Sequence, residues 1–135
     1  MTSQAKPAEE MKRVVKATLY FVKRPDISDE EFHRYWSEDH GPLISGTKFF
    51  KERILKYNQY HNDLAARNKA TSMGFPVMEY DGATELWAED LDTLLDVSKD
   101  EEYLQKIVPD AGKFISREYT KFMFGYDDLK MDKTK

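Results

Sequence analysis

The chain has 135 residues and a formal net charge of −4, so it suits one globular domain and lacks the basic excess of a nucleic-acid-binding protein. It contains no cysteine, which excludes disulfides, thiolate metal sites and a cysteine nucleophile. No apolar run is long enough for a membrane span, and residues 1–10 lack the apolar stretch of a secretory signal. We therefore expect a cytoplasmic protein without membrane contacts.

Polar composition marks both ends of the chain. Residues 1–11 have no hydrophobic periodicity and are predicted to form a disordered N-terminal tail, and the charged residues 128–135 are predicted to form a C-terminal tail. Between them we find no repeat and no linker rich in Gly, Pro or Ser. The sequence therefore predicts one domain over residues 12–127.

The first two elements are a strand and a capped helix. Apolar and polar residues alternate over residues 13–23, which predicts a strand with one face in the core. Ser28 and Glu31 then form a capping box that starts a helix. Phe32, Trp36 and His40 follow at four-residue intervals and share its inward face, whereas the neighbouring residue His33 is expected to be exposed. Gly-Pro at residues 41–42 is predicted to end this helix.

The remaining elements complete an alternating order of strands and helices. We predict a short helix over 48–53, a strand over 54–61, a polar loop over 62–76, a strand from 77 to about 82 that resumes through 87, helices over 91–97 and 101–108, and a strand over 118–126. This order predicts an α+β, ferredoxin-like fold, in which a four-stranded antiparallel sheet carries helices on one face. A second subunit is expected to cover the other face, with Phe122, Phe124 and Tyr126 supplying apolar area, so we predict a homodimer.

Two histidines are the candidates for chemistry. The helix dipole favours protonated His40 at the end of its helix, whereas burial disfavours it, and the alternative is a structural histidine that caps the helix. His61 shares one strand face with Tyr57 and Gln59. Since three polar side chains on a core face all need partners, either a ligand-filled pocket or a polar dimer interface explains them.

Motifs for cofactors are missing from the sequence. Three histidines without HExxH or similar spacing do not predict a metal site. There is no GxGxxG, no phosphate-binding loop and no GxSxG, so neither a nucleotide cofactor nor a serine nucleophile is expected. We predict a protein that works without metal or cofactor.

Four stretches of the sequence resemble the EthD-domain family, in matching order over about residues 13–127. The run FHRYWSEDHGPL at 32–43 is similar to the family's capped helix, and KYNQYH at 56–61 resembles its second strand. The third stretch combines EYDG at 79–82 with ELW at 85–87, and the fourth combines IVPD at 107–110 with Phe114.

The resemblance implies a dimeric α+β barrel with a pocket between sheet and helices, similar to fungal proteins of aromatic polyketide pathways in secondary metabolism. It implies a cofactor-free lyase, with decarboxylation of a polycyclic, anthrone-type carboxylic acid as the leading reaction. A dehydratase or cyclase, a cofactor-free monooxygenase and a non-catalytic binder of aromatic ligands are the alternatives. His40 or His61 would transfer protons and Tyr57 would stabilise an oxyanion. The expected substrate-binding residues are Tyr20, Phe32, Trp36, Leu43, Gln59, Tyr80 and Asp81.

Overall fold

The computed structural model describes residues 13–134, so the predicted N-terminal tail lies outside the described residues. Four antiparallel strands form one sheet: β1 Val15–Lys23, β2 Lys56–His61, β3 Gly82–Ala88 and β4 Ile115–Gly125. Their spatial order is β2-β3-β1-β4, with β1 in antiparallel pairing to both β3 and β4. This is the predicted ferredoxin-like arrangement, and it is confirmed.

Helical segments connect the strands. In chain order they are α1 Asp29–Tyr35, a first π-helix Trp36–His40, α2 Gly41–Ser45, α3 Lys48–Arg53, α4 Leu64–Ser72, α5 Leu91–Asp96, a 3-10 turn Val97–Lys99, a second π-helix Tyr103–Ile107 and α6 Val108–Ala111. No helix among residues 13–134 has the length and apolar character needed to cross a bilayer.

The core divides into two clusters. The larger joins one face of β1 and β3 to α2, α3, α5 and the second π-helix, with members Val15, Ala17, Ile44, Phe49, Phe50, Leu86, Ala88, Leu94, Val97 and Ile107. The smaller is aromatic and consists of Phe21, Phe32, Trp36 and Phe114. Burial of these apolar side chains supplies most of the driving force for folding.

The helix that starts at Ser28 does not end at Gly41-Pro42, and that prediction is wrong. Trp36–His40 widens into a π-helix in which the Gly41 N–H donates to Trp36 O, and the chain continues directly into α2. A proline within an α-helix clashes with the carbonyl four residues earlier, and the wider π turn relieves that clash. The helical path therefore runs on to Ser45.

Three other predicted boundaries are corrected. The predicted loop 62–76 contains α4, capped by Asp63, whose side chain accepts from Ala66 N at 3.0 Å. Helix α4 buries none of its residues, so it lacks the apolar stripe that would have indicated a helix. The third strand starts at Gly82 rather than at 77, because its pairing with β1 begins opposite Phe21. The fourth starts at Ile115 rather than at 118.

Two β4 aromatics lie on the helix side of the sheet. Phe122 pairs with Leu19 and Phe124 with Ala17. Paired residues of antiparallel strands share a face, and Ala17 belongs to the core on the helix side. The prediction that Phe122 and Phe124 cover the face without helices is therefore wrong. They stack on each other at 6.1 Å along the edge strand, beyond the helices.

Candidate active site

A histidine and an aspartate from two separate helical segments form a buried pair. His40 ends the first π-helix, and Asp110 lies in α6, just after the second. His40 Nδ1 is 2.8 Å from Asp110 Oδ2, and both side chains are at least nine-tenths buried. A proline follows each π-helix within two residues, Pro42 and Pro109. π-Helical turns are frequent at functional sites, and here two of them place the members of the pair.

Asp110 is held as a carboxylate. Burial alone would raise its pKa, but hydrogen bonds from Tyr35 and His40 outweigh that effect, and its pKa lies below the usual value. The Tyr35 hydroxyl donates to Oδ1 at 2.5 Å, and Lys113 Nζ lies 3.4 Å from the same oxygen. Burial together with this carboxylate raises the pKa of Tyr35 to about 12, so Tyr35 stays a donor.

The surroundings of His40 favour its neutral form. Burial lowers its pKa, and the opposing effect of Asp110 does not cancel the shift. Because a carboxylate only accepts, the Nδ1 of His40 carries the proton, and the lone pair is on Nε2. Within residues 13–134, Nδ1 makes the only hydrogen bond of this ring. A ligand proton can therefore be taken by Nε2.

A second cluster surrounds His61 at the end of β2. His61 Nδ1 lies 2.7 Å from His33 Nδ1, and His61 Nε2 lies 2.9 Å from Gln59 Oε1. The Gln59 amide nitrogen is 2.9 Å from Trp36 O and 2.8 Å from the Tyr57 hydroxyl. Burial lowers the pKa of His61, and the charge of His33 lowers it further. Burial raises the pKa of Tyr57.

The structure places the two predicted histidines in different clusters. His40 packs on Phe114 and His61 packs on Trp36, at ring distances of 4.9 and 4.3 Å. Phe32 lies between them, in contact with both Phe114 and Trp36. The clusters approach each other at Gly41, where a Cβ would lie 2.9 Å from Gln59 Nε2. The absence of a side chain at Gly41 therefore allows the two clusters to lie close together.

A cavity of about 420 Å³ is lined by His61 and by other residues of β1, β2, β3 and α4. Of the predicted site residues it includes His61, Tyr20 and Tyr80, and the two tyrosine rings are 5.5 Å apart. Arg67 of α4 also lines it, donating to Tyr80 O at 3.2 Å. Its walls join these polar groups to apolar residues, as in small-molecule sites.

The other predicted binding residues are dispersed. Phe32 and Trp36 are enclosed in the aromatic cluster, with relative exposures of 0% and 1%. Leu43 is on the exposed surface of α2. Asp81 is buried and does not line the cavity. Its carboxylate accepts from Lys23 N at 2.8 Å and lies 3.9 Å from Arg67.

Sequence reasoning did not assign a role to four residues of these clusters. Asp110 and Tyr35 stand within stretches that resemble the family, but their contact joins positions 75 residues apart, which periodicity does not detect. Arg67 lies in the helix that was predicted as loop. His33 was expected to be exposed and is partly buried against His61, because β2 ends beside α1. The run of acidic residues after Ser28 was the available signal for a partner of His33, and Asp29 fills that place at 3.4 Å.

No group of three or more metal-binding side chains is found within the part of the chain that the structure describes. The histidines of both clusters are instead paired with Asp110 or with each other.

The chain is similar to proteins of one known family. The EthD domain family matches residues 24–118. The chain is 31% identical over 111 residues to "Dehydratase CTB10" of Cercospora beticola, which covers 78% of this chain and 83% of the relative. It is 25% identical over 113 residues to "Conidial pigment biosynthesis dehydratase EthD" of Metarhizium robertsii, covering 81% of this chain and 79% of the relative.

A solved structure gives the same fold. A dimeric protein of unknown function with a ferredoxin-like fold from Bacteroides fragilis superposes with a TM-score of 0.55 at 13% identity, covering 84% of this chain and 96% of that one. The class of protein is thus an α+β domain with a ferredoxin-like fold. This chain belongs to the EthD domain family.

Proposed function

We propose that the protein is a lyase that removes water from an aromatic polyketide, with His40 as the base. The observation that carries this proposal is the buried His40–Asp110 pair, which leaves a basic Nε2 on a ring of fixed orientation. The two relatives that are named dehydratases support the reaction class. The resemblance to fungal proteins of polyketide pathways supports the substrate class.

In the proposed reaction, His40 and Tyr57 act on the same substrate. Nε2 of His40 takes a proton from the carbon next to a ketone, and the electrons of that C–H bond move toward the carbonyl oxygen. The Tyr57 hydroxyl donates a hydrogen bond to this developing oxyanion. The neighbouring C–O bond then breaks, the hydroxyl group takes the proton from His40, and water leaves as the new double bond completes an aromatic ring.

Decarboxylation, the leading reaction from the sequence, needs a different protonation state. Loss of carbon dioxide leaves a carbanion that an acid must protonate, so a histidine would have to hold a proton beforehand. Burial lowers the pKa of His40, which disfavours this protonated form. The lowered pKa of His40 therefore supports dehydration rather than decarboxylation at this residue.

The product mass tests the proposal directly. Purified protein is incubated with a bicyclic aromatic β-hydroxyketone and, separately, with an anthrone carboxylic acid, with chelator present and no flavin or nicotinamide. We expect loss of water from the hydroxyketone, unchanged when dioxygen is removed. Loss of carbon dioxide alone identifies a decarboxylase, and a requirement for dioxygen identifies a monooxygenase. Binding without turnover identifies a ligand-binding protein, and each of these three results contradicts the proposal.

We also propose that the protein is a homodimer. Phe122, Met123 and Phe124 on the edge strand β4 are between 45% and 63% exposed. Monomeric proteins rarely leave such a patch in water, and edge strands are common association sites. The dimeric neighbour of the same fold supports this state.

Sedimentation equilibrium at micromolar concentration should give the mass of two chains. Replacing Phe122 and Phe124 together with serine should shift the protein toward the monomer, because it removes apolar area at the edge strand. Serine at the exposed Leu129 is the matched control, since this side chain lies outside the sheet. A wild-type mass of one chain would contradict the proposed dimer.

A further inference from the structure

The histidine pair beside β2 has hydrogen bonds that fix the position of each proton. Trp36 O can only accept, so the Gln59 atom that faces it is the amide nitrogen, and Gln59 Oε1 faces His61. His61 Nε2 must then carry a proton in order to donate to Oε1. On a neutral His61 this leaves the lone pair on Nδ1.

The same reasoning extends to His33. Its Nδ1 is 2.7 Å from the lone pair of His61 Nδ1, so His33 Nδ1 is the donor. Its Nε2 is buried without a hydrogen-bond partner of normal geometry and lies 3.4 Å from Asp29 Oδ1, at ion-pair distance. A lone pair there would face a carboxylate, whereas an N–H would be attracted to it. The geometry is therefore satisfied when His33 is protonated on both nitrogens.

We propose that His33 and His61 together hold one positive charge, and that they act as positioning residues which orient Gln59 and the Tyr57 hydroxyl. The catalytic part of this inference rests on the proposed function. Gln59 donates to Tyr57, so the tyrosine oxygen accepts there and its own proton is directed elsewhere. The Tyr57 proton is thereby available to an oxygen of the ligand.

The groups around the pair are consistent with one charge. Asp29 faces His33 from α1, and the uncharged rings of Phe32 and Trp36 pack on His33 and His61. On the cavity side of His61 the charged groups are Arg67 and Asp63, and the tyrosines there are Tyr20, Tyr60 and Tyr80. A second proton would place two N–H groups opposite each other at the Nδ1–Nδ1 contact and break it.

Ring-nitrogen NMR of the intact protein tests the proton positions without any substrate. At neutral pH we expect protons on both nitrogens of His33 and on Nε2 alone of His61. Asp29→Asn should remove the Nε2 proton of His33, whereas Glu30→Gln, an exposed carboxylate in the same helical turn, should not. A neutral His33 or a proton on Nδ1 of His61 in the wild type would overturn the inference.

The kinetic arm compares two replacements of His33. His33→Leu removes the donor to His61 and should lower kcat about 10-fold with little change in KM, the usual effect of one lost hydrogen bond. His33→Asn places an amide nitrogen near the position of Nδ1 and should recover most of that rate. Unchanged kcat in the leucine variant would refute the positioning role. If the wild type has no lyase activity, the proposed function fails, while the NMR result still decides the proton positions.

Discussion

Replacing His40 with asparagine should lower kcat about 10²-fold or more, the usual scale for a lost general base. The asparagine amide can occupy the position of Nδ1 and keep the hydrogen bond to Asp110, but nothing replaces Nε2. The variant should therefore fold normally and melt close to the wild-type temperature. His40→Gln fails to place its amide at Nδ1, so it should lose both the rate and part of the stability.

One control variant and one comparison of activity with folded fraction separate a base from a structural histidine. Glu38→Gln changes an exposed residue of the same π-helix and should leave turnover and melting temperature unchanged. If His40 is only structural, residual activity in every variant will follow its folded fraction. A folded His40→Asn variant with near-normal turnover would contradict the role of His40 and direct attention to His61.

The pH dependence of kcat/KM should report the pKa of His40. A base must be neutral, so kcat/KM should rise with pH as His40 loses its proton. Burial lowers the pKa of His40, which places this acid limb below the range of a free histidine.

In Asp110→Asn the carboxylate that raises the pKa of His40 is gone, so the acid limb of kcat/KM should move to still lower pH. The rate should also fall, because an amide does not fix the Nδ1–H tautomer.

Gly82→Ala should destabilise the protein by about 1–3 kcal/mol, the usual cost of overpacking a core. A Cβ at this position would lie 2.5 and 2.8 Å from two ring carbons of Trp36, and 3.3 Å from Phe21. Trp36 is almost completely buried and packed on three sides by Phe21, Phe32 and His61, so it cannot yield without moving them.

Gly125→Ala is the matched control for Gly82→Ala. Gly125 is also a strand glycine, and a Cβ there would have no atom within 4 Å. We expect Gly82→Ala to lower Tm by about 4 °C for each kcal/mol and to change Trp36 fluorescence, whereas Gly125→Ala should do neither. Equal Tm values for the two variants would show that the contact between Gly82 and Trp36 is not tight in solution.

The sequence by itself determined the fold class and most of the elements. Alternation over 13–23 and the capping box at Ser28 are local signals, and the structure has β1 at Val15–Lys23 and a Ser28 side chain that accepts from Glu31 N. Local signals of this kind suffice when a segment has one buried face. They failed for α4, which has no buried residue. They also failed at Gly41-Pro42, where a π-helical turn accommodates the proline and the helix continues.

The pairing of side chains was decided only by the tertiary structure. The sequence predicted an inward-facing His40 and placed Tyr57, Gln59 and His61 on one strand face, since both follow from period alone. That Asp110 pairs with His40 depends on how α6 packs against the first π-helix. The contact of His33 with His61 likewise depends on where the end of β2 meets α1. These residues lie between 28 and 70 positions apart, and periodicity carries no information about contacts over such separations.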